Sequence, residues 1–167
     1  SNVIVAVQIN ALPNTVQDFL EIMSADAVFV RADLIPDLDQ SETMKSLDCM
    51  KIYALRSENH GGAYLANRMH ERKHKLCAAI LDFDVVELEW DKDLSVDILH
   101  CIPTDQRLIS WHGQVNSYEH LVSIYKKLKQ YPARFYMMTL EADGLTQCLW
   151  SMQLQQDYAD GRLVSYA

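Results

Sequence analysis

Several absences narrow this chain before any motif is considered. No apolar run approaches the roughly 20 residues of a membrane-spanning helix, and the first residues lack the basic-then-apolar pattern of a secretory signal. Positive charge is in deficit, with 15 Lys and Arg against 23 Asp and Glu and a net charge of -8. Binding to a phosphate backbone needs clustered cations, so nucleic acid is excluded as a partner. Glycine is scarce, 5 residues in all. The Gly61-Gly62 pair lacks the flanking glycines and the Lys-Ser/Thr of a phosphate loop, and reads as a turn before a helix. The 4 cysteines, Cys49, Cys77, Cys101 and Cys148, show no Cys-x-x-Cys pairing. They read as small apolar residues in a reducing compartment rather than as a disulfide or zinc framework, so a cytoplasmic location is expected. There is also no low-complexity linker and no convincing internal repeat.

What is present is an ordinary globular composition, 167 residues long and 49% hydrophobic, enough for a substantial core. Short β-branched runs predict strands at Ile4–Ile9, Ala27–Val30, Lys51–Leu55, Asp84–Leu88, Leu108–Trp111, Phe135–Leu140 and Leu163–Tyr166. Apolar stripes at helical spacing lie between them. These are Val16, Phe19, Leu20 and Met23, capped by Asn14 or Thr15; Leu65, Met69, Leu76 and Ile80; Tyr118, Leu121, Val122, Tyr125 and Leu128, opened by Ser117; and Leu145, Cys148, Leu149 and Met152. Shorter helical segments are expected at Ser41–Met50 and Leu94–Ile102.

Alternating strands and helices imply parallel strands joined by right-handed crossovers. Periodicity leaves two architectures open, a doubly wound sheet and most of a (β/α)8 barrel. A full barrel takes about 250 residues, so the barrel reading makes this an incomplete one. In either case function belongs at the carboxyl ends of the strands. Arg31 and Asp33 follow the second strand, Arg56 the third, Glu87 and Glu89 end the fourth, and His112 the fifth. Arginines there suit bidentate recognition of a small anion, and a carboxylate-oriented histidine can move protons near neutral pH. The alternative is that Arg31 with Asp33 and Arg56 with Glu87 are ion pairs closing the top of a core. His70-Glu71-Arg72-Lys73-His74 has zinc-protease spacing. Its flanking Arg68, Arg72, Lys73 and Lys75 disfavour a dication and mark a solvated helix face, so no metal and no cofactor is expected.

At these strand ends the chain resembles the type I 3-dehydroquinate dehydratases, (β/α)8-barrel enzymes of the shikimate pathway. The family's Glu-x-Arg-x-Asp is matched by Phe29-Val30-Arg31-Ala32-Asp33, and its arginine strand with a Glu-Gly-Gly turn by Leu55-Arg56 through His60-Gly61-Gly62. Its Asp-x-Glu is matched by Glu87-Leu88-Glu89, and its Ser-x-His-Asp by Ser110-Trp111-His112-Gly113. The resemblance spans nearly the whole chain. It implies one domain over residues 1–167, possibly a fragment of a longer chain, with a TIM-barrel-like fold of about seven β/α units. It further implies His112 as general acid/base oriented by Glu87, and Arg31, Arg56 and Glu89 as residues that bind a small anionic cyclic acid such as 3-dehydroquinate. The family's Schiff-base lysine corresponds to Met137, in a segment with no lysine anywhere from Gln130 to Ala167. A thioether forms no iminium, so the covalent mechanism is expected to be lost. Phe29, His60 and Gly113 depart from the family pattern as well. Two classes of function follow. One is a dehydratase-like enzyme or the front part of a multifunctional shikimate-pathway enzyme; the other is a non-catalytic binding, regulatory or assembly module. A homodimer or a fused pathway domain is the partner expected, with no membrane association.

Overall fold

The structure is a computed structural model that describes residues 6–11, 13, 21–22, 24–36, 42–158 and 160–167, without the side chains of 43 and 44. Its strands are β1 (Ala6–Ile9), β2 (Ala27–Arg31), β3 (Met50–Ala54), β4 (Val85–Glu89), β5 (Arg107–Gly113), β6 (Phe135–Leu140) and β7 (Leu163–Tyr166). The helices are α1 (Glu42–Lys45), α2 (Met69–Ala79), α3 (Val96–Cys101), α4 (Tyr118–Leu128) and α5 (Leu145–Asp157). The predicted stripe around Val16, Phe19, Leu20 and Met23, with its caps, lies outside the described residues, as do Ile4 and Val5.

The strands stand in the sheet in chain order, β1 to β7, and β1/β2, β2/β3, β3/β4, β5/β6 and β6/β7 all pair parallel. A doubly wound sheet reverses its strand order at a switch point, and this order never reverses. The fold is therefore α/β and TIM-barrel-like, with seven strands of the eight that a complete barrel holds.

The chain forms two compact units, Ser1–Glu87 and Leu88–Ala167. In the first, Val28, Val30, Ala54, Val85 and Val86 are fully buried strand residues, and α2 contributes Leu76 to the core. Each of these valine and leucine side chains gains about 1.5–3 kcal/mol from leaving water. Arg72 of α2 is buried too, because its guanidinium donates to the Leu55 carbonyl and lies 5.6 Å from the Tyr64 ring centroid. A buried charge is tolerable only with such partners.

In the second unit, side-chain alternation sorts the strands. Ile109 and Trp111 of β5 and Tyr136, Met138 and Leu140 of β6 pack against Leu121, Tyr125 and Leu128 of α4 and Leu154 of α5. Ser117 caps α4, its hydroxyl accepting the His120 N–H at 3.1 Å, and Ser95 caps α3 in the same way from Ile98. Arg107 ties the bottom of β5 to three carbonyls, Ile102 at 2.7 Å, Leu99 at 2.7 Å and Pro132 at 2.9 Å.

Two expectations fail. The stripe predicted to face the core from α5 is exposed, with Leu145 at 73%, Leu149 at 53% and Met152 at 59%, while Ser151 and Leu154 are buried instead. Apolar residues surround this helix on several sides, so periodicity could not choose its buried face. The expectation of reduced cysteines holds for Cys49 and Cys148, which are free, but Cys77 and Cys101 are each disulfide-bonded. Sequence spacing carries no information on which sulfurs the fold brings within bonding reach.

One core group is mismatched to its surroundings. The Tyr125 hydroxyl is buried with no hydrogen-bond partner among the described residues. Burial first, and then the nearby Asp160 carboxylate, push it up to about 12, so it keeps its proton and has nothing to give it to. An orphaned buried hydroxyl costs about 1–3 kcal/mol. Tyr125→Phe is therefore expected to raise the urea midpoint at unchanged m-value, by roughly 1 kcal/mol of stability; a fall in the midpoint would mean that the hydroxyl is satisfied.

Candidate functional site

In the first unit the register sets the site. Gln8 pairs with Phe29, and Arg31 with Ala54, while Ile52 pairs with Val85, which puts Glu87 beside Ala54 two residues on. Paired residues of parallel strands share a face, so Gln8, Phe29, Arg31 and Glu87 lie on one side of the sheet. Arg31 is 6% exposed, and its fork meets Asp33 twice, Nε to Oδ1 at 2.8 Å and Nη2 to Oδ2 at 2.6 Å. Asp33 Oδ2 also accepts the Ala63 N–H at 3.0 Å. Burial alone would raise the Asp33 carboxyl. The Arg31 hydrogen bond, the Ala63 amide and the Arg31 charge together outweigh it and hold the group below its ordinary value.

Arg56 is placed by the turn that follows it. Gly62 packs so closely on Arg56 that a Cβ there would lie 2.2 Å from the Arg56 carbonyl oxygen, and Gly61 takes φ 79°. The chain then folds back, and Tyr64 N–H donates to the Arg56 carbonyl at 2.9 Å. The Gly61-Gly62 pair is thus a turn, as its sequence suggests, and its work is to fix an arginine. The Arg56 side chain reaches Glu87 through Nε at 3.3 Å and Gln8 through Nη1 at 3.2 Å, and its Cζ lies 6.0 Å from the Phe29 ring centroid. Where the resembled family has a carboxylate, this chain offers the arginine an aromatic face.

In the second unit His112 is half-buried on β5, with Nε2 3.7 Å from Glu141 Oε1. Glu141 is itself placed by Gln114, which donates to its other oxygen at 2.8 Å, and by its own N–H to the Gly113 carbonyl at 2.9 Å. A Cβ at Gly113 would meet the Trp111 ring at 2.8 Å, so the position where the family pattern has aspartate is closed by packing. Glu89 is 1% exposed; its N–H donates to Asp93 at 2.7 Å and its carboxylate lies 3.9 Å from Lys92 Nζ. Met137 pairs with Ser110, and Thr139 with His112, so all four share the face turned away from α4 and α5. Met137 is 4% exposed, and its sulfur receives the Tyr166 hydroxyl at 4.0 Å.

The structure therefore assembles Arg31, Arg56 and Glu87 within one unit, and His112, Glu89 and Met137 within the other. Sequence reasoning missed Gln8, Glu141 and Asp93. Gln8 and Glu141 are polar residues at or just past strand ends, which was signal enough; Asp93 acts through a backbone amide and leaves no signal. The His70–His74 segment lies on α2 with the His70 side chain 75% exposed and 3.6 Å from Glu71; His70, Lys73 and His74 are solvated as expected, but Arg72, expected on the same face, is buried instead, where it donates to the Leu55 carbonyl.

Comparison with known proteins bears on the family and the fold. A family profile described as Type I 3-dehydroquinase matches residues 3–161. No curated protein matches the chain in sequence. Among solved structures, the chain is similar to the dehydroquinate dehydratase and shikimate dehydrogenase from S. pombe, at TM-score 0.74 and 17% identity. That match covers 96% of this chain and 35% of the other. It is also similar to 3-dehydroquinate dehydratase from Enterococcus faecalis, at TM-score 0.74 and 16% identity, over 96% of this chain and 77% of that one. The corresponding enzyme from Geobacillus kaustophilus matches at TM-score 0.69 and 16% identity, over 92% and 68%.

The Arg31 clamp has a pH signature. Asp33 titrates lower in the folded chain than its ordinary 3.8, so its contribution to stability is present above that pH and is lost as pH falls through the folded value. The stability difference between the wild type and Asp33→Asn is expected to shrink as urea titrations move from pH 6 to pH 3. A constant difference would mean that the carboxylate is not charged in the clamp.

Proposed function

Because the chain belongs to the type I 3-dehydroquinase family, we propose that it binds a small anionic cyclic acid such as 3-dehydroquinate and does not carry out the family's Schiff-base dehydration. Residues 1–167 act in this reading as one dehydroquinase-like domain. The carrying observation is Met137: it is buried on the strand and face where the family's lysine belongs, and no lysine lies from Gln130 to Ala167. An iminium needs an amine, and a thioether has no proton to lose and no lone pair basic enough to add to a ketone.

The remaining groups suit binding. Arg31 and Arg56 supply guanidinium donors for a carboxylate, with Glu89 taking hydroxyl contacts. His112, which the family pattern makes the general acid/base oriented by Glu87, has no electron sink to work with. Alone it supplies roughly 10²–10⁴-fold, short of the 10⁶-fold or more of an enzyme. Arg31, which is buried, and Arg56, which is partly buried, come with their counter-charges already in place, which lowers the cost of holding them there.

A second reading has support of its own. The S. pombe structure carries dehydroquinate dehydratase and shikimate dehydrogenase together, and this chain matches 35% of it. Here the domain would be one part of a multifunctional pathway enzyme, active through another domain. The family's chemistry belongs to the cytoplasm, and we place the chain there.

Three measurements with 3-dehydroquinate test the proposal. Borohydride reduction of the mixture is expected to leave the intact mass unchanged, and an adduct on any lysine overturns the reading. Ligand at about 100 times its dissociation constant is expected to add about 2.7 kcal/mol of stability, a melting shift of several degrees, with no dehydration detected. Arg56→Met is expected to abolish that shift; a shift that survives it would place the ligand elsewhere.

A further inference from the structure

The outer edge of β7 is occupied by a side chain that imitates a strand. The Tyr136 N–H of β6 donates to the Arg162 carbonyl at 2.8 Å, and Tyr136 pairs with Leu163. In a parallel ladder this fixes the parity of β7: the peptide groups of residues 162, 164 and 166 point toward β6, and those of Leu163 and Ser165 point away. Those outward groups are the ones a further strand would use. Both are already taken by one carboxamide. Gln155 Nε2 donates to the Leu163 carbonyl at 2.8 Å, and Ser165 N–H donates to Gln155 Oε1 at 3.0 Å.

The pattern is specific. A residue of a parallel neighbour placed opposite Val164 would give its N–H to the Leu163 carbonyl and accept the Ser165 N–H on its own carbonyl. The amide of Gln155 offers the same donor and acceptor in the same roles. It is held there by α5, whose Ser151 hydroxyl lies 2.9 Å from that of Ser165. Without it, the outward peptide groups of Leu163 and Ser165 would lack these partners among the described residues. Open strand edges pair with the edges of other chains.

We propose that Gln155 is a built-in cap of the β7 edge, its carboxamide standing in for one residue of a further parallel strand and keeping a second copy of this chain from adding a strand there. The cap is independent of any ligand or reaction.

Amide hydrogen exchange on the whole chain tests it residue by residue. In the wild type the Ser165 amide is expected to be protected although it faces outward. In Gln155→Ala it is expected to exchange roughly ten-fold faster, while the Val164 and Tyr166 amides, which face β6, are unchanged. Gln155→Glu still accepts from Ser165 and should keep that amide protected. Equal Ser165 exchange in the wild type and Gln155→Ala overturns the cap. So does loss of Val164 and Tyr166 protection in both variants, which would make Gln155 a general packing residue. Sedimentation velocity reads the second half of the proposal. Gln155→Ala is expected to gain mass with concentration beyond the wild type, and superimposable profiles overturn the role against a second copy.

Discussion

The alternation of side chains along parallel strands is the constraint from which the rest follows. Each strand must send one set of residues into the helix-packed core and the other set to the opposite face, and a slip of one residue exchanges the two sets. In β6 this puts Tyr136, Met138 and Leu140 against α4 and α5, and leaves Met137 and Thr139 on the face of Ser110 and His112. In β2 it puts Phe29 and Arg31 on the face of Gln8. Burial of the first set holds the register, and the register in turn aims the polar set. The polar residues are therefore positioned by apolar packing that they take no part in.

Holding Arg31 and Arg56 largely out of water raises an electrostatic problem that is solved differently for each. Removing a charge from water costs more than attraction returns unless the geometry is good and the remaining hydrogen-bonding positions are filled. Arg31 meets the Asp33 carboxylate bidentately, and that carboxylate takes a further bond from the Ala63 amide. Arg56 is shared among a carboxylate at 3.3 Å, a carboxamide at 3.2 Å and an aromatic ring at 6.0 Å. The first arrangement is tight and bidentate. The second has longer contacts, and two of its three partners, the carboxamide and the ring, are neutral.

Much of this was legible in the sequence, for physical reasons. All seven strands fall where β-branched runs predicted them; β2 and β6 are buried on both faces, and such strands need apolar residues at nearly every position. Ser117 announced α4 because a hydroxyl before an apolar stripe satisfies an orphaned amide. Arg31, Arg56, Glu87 and His112 were visible as charged residues where such runs stop. The choice between a doubly wound sheet and a barrel was not legible, since strand order is a property of tertiary pairing and leaves no trace in periodicity. Nor was the buried face of α5. Leu145, Cys148, Leu149, Trp150, Met152 and Leu154 spread around the helix, and only the packing of Leu154 into the α4 cluster decides which side is inside. The bonded state of Cys77 and Cys101 depends in the same way on where the fold brings sulfur atoms.

The same alternation decides how much a single substitution at Met137 can mean. If the lysine had merely moved along β6, Tyr136 and Met138 could not carry it, because both are held in the helix-facing core at 3% and 0% exposure. Phe135 and Thr139 share the right face, but a residue two positions away is displaced by about 6–7 Å along the strand, beyond the reach of a bond-forming amine. The paired positions Ser110 and Val164 on the neighbouring strands hold a hydroxyl and a hydrocarbon. The space at Met137 is in use, with its sulfur accepting the Tyr166 hydroxyl. The thioether is thus an integrated part of its surroundings. Phe29 beneath Arg56 and Gly113 against Trp111 are integrated in the same way. At all three positions the side chain or backbone present is closely packed against its neighbours, so the departures from the family pattern are built into the local structure.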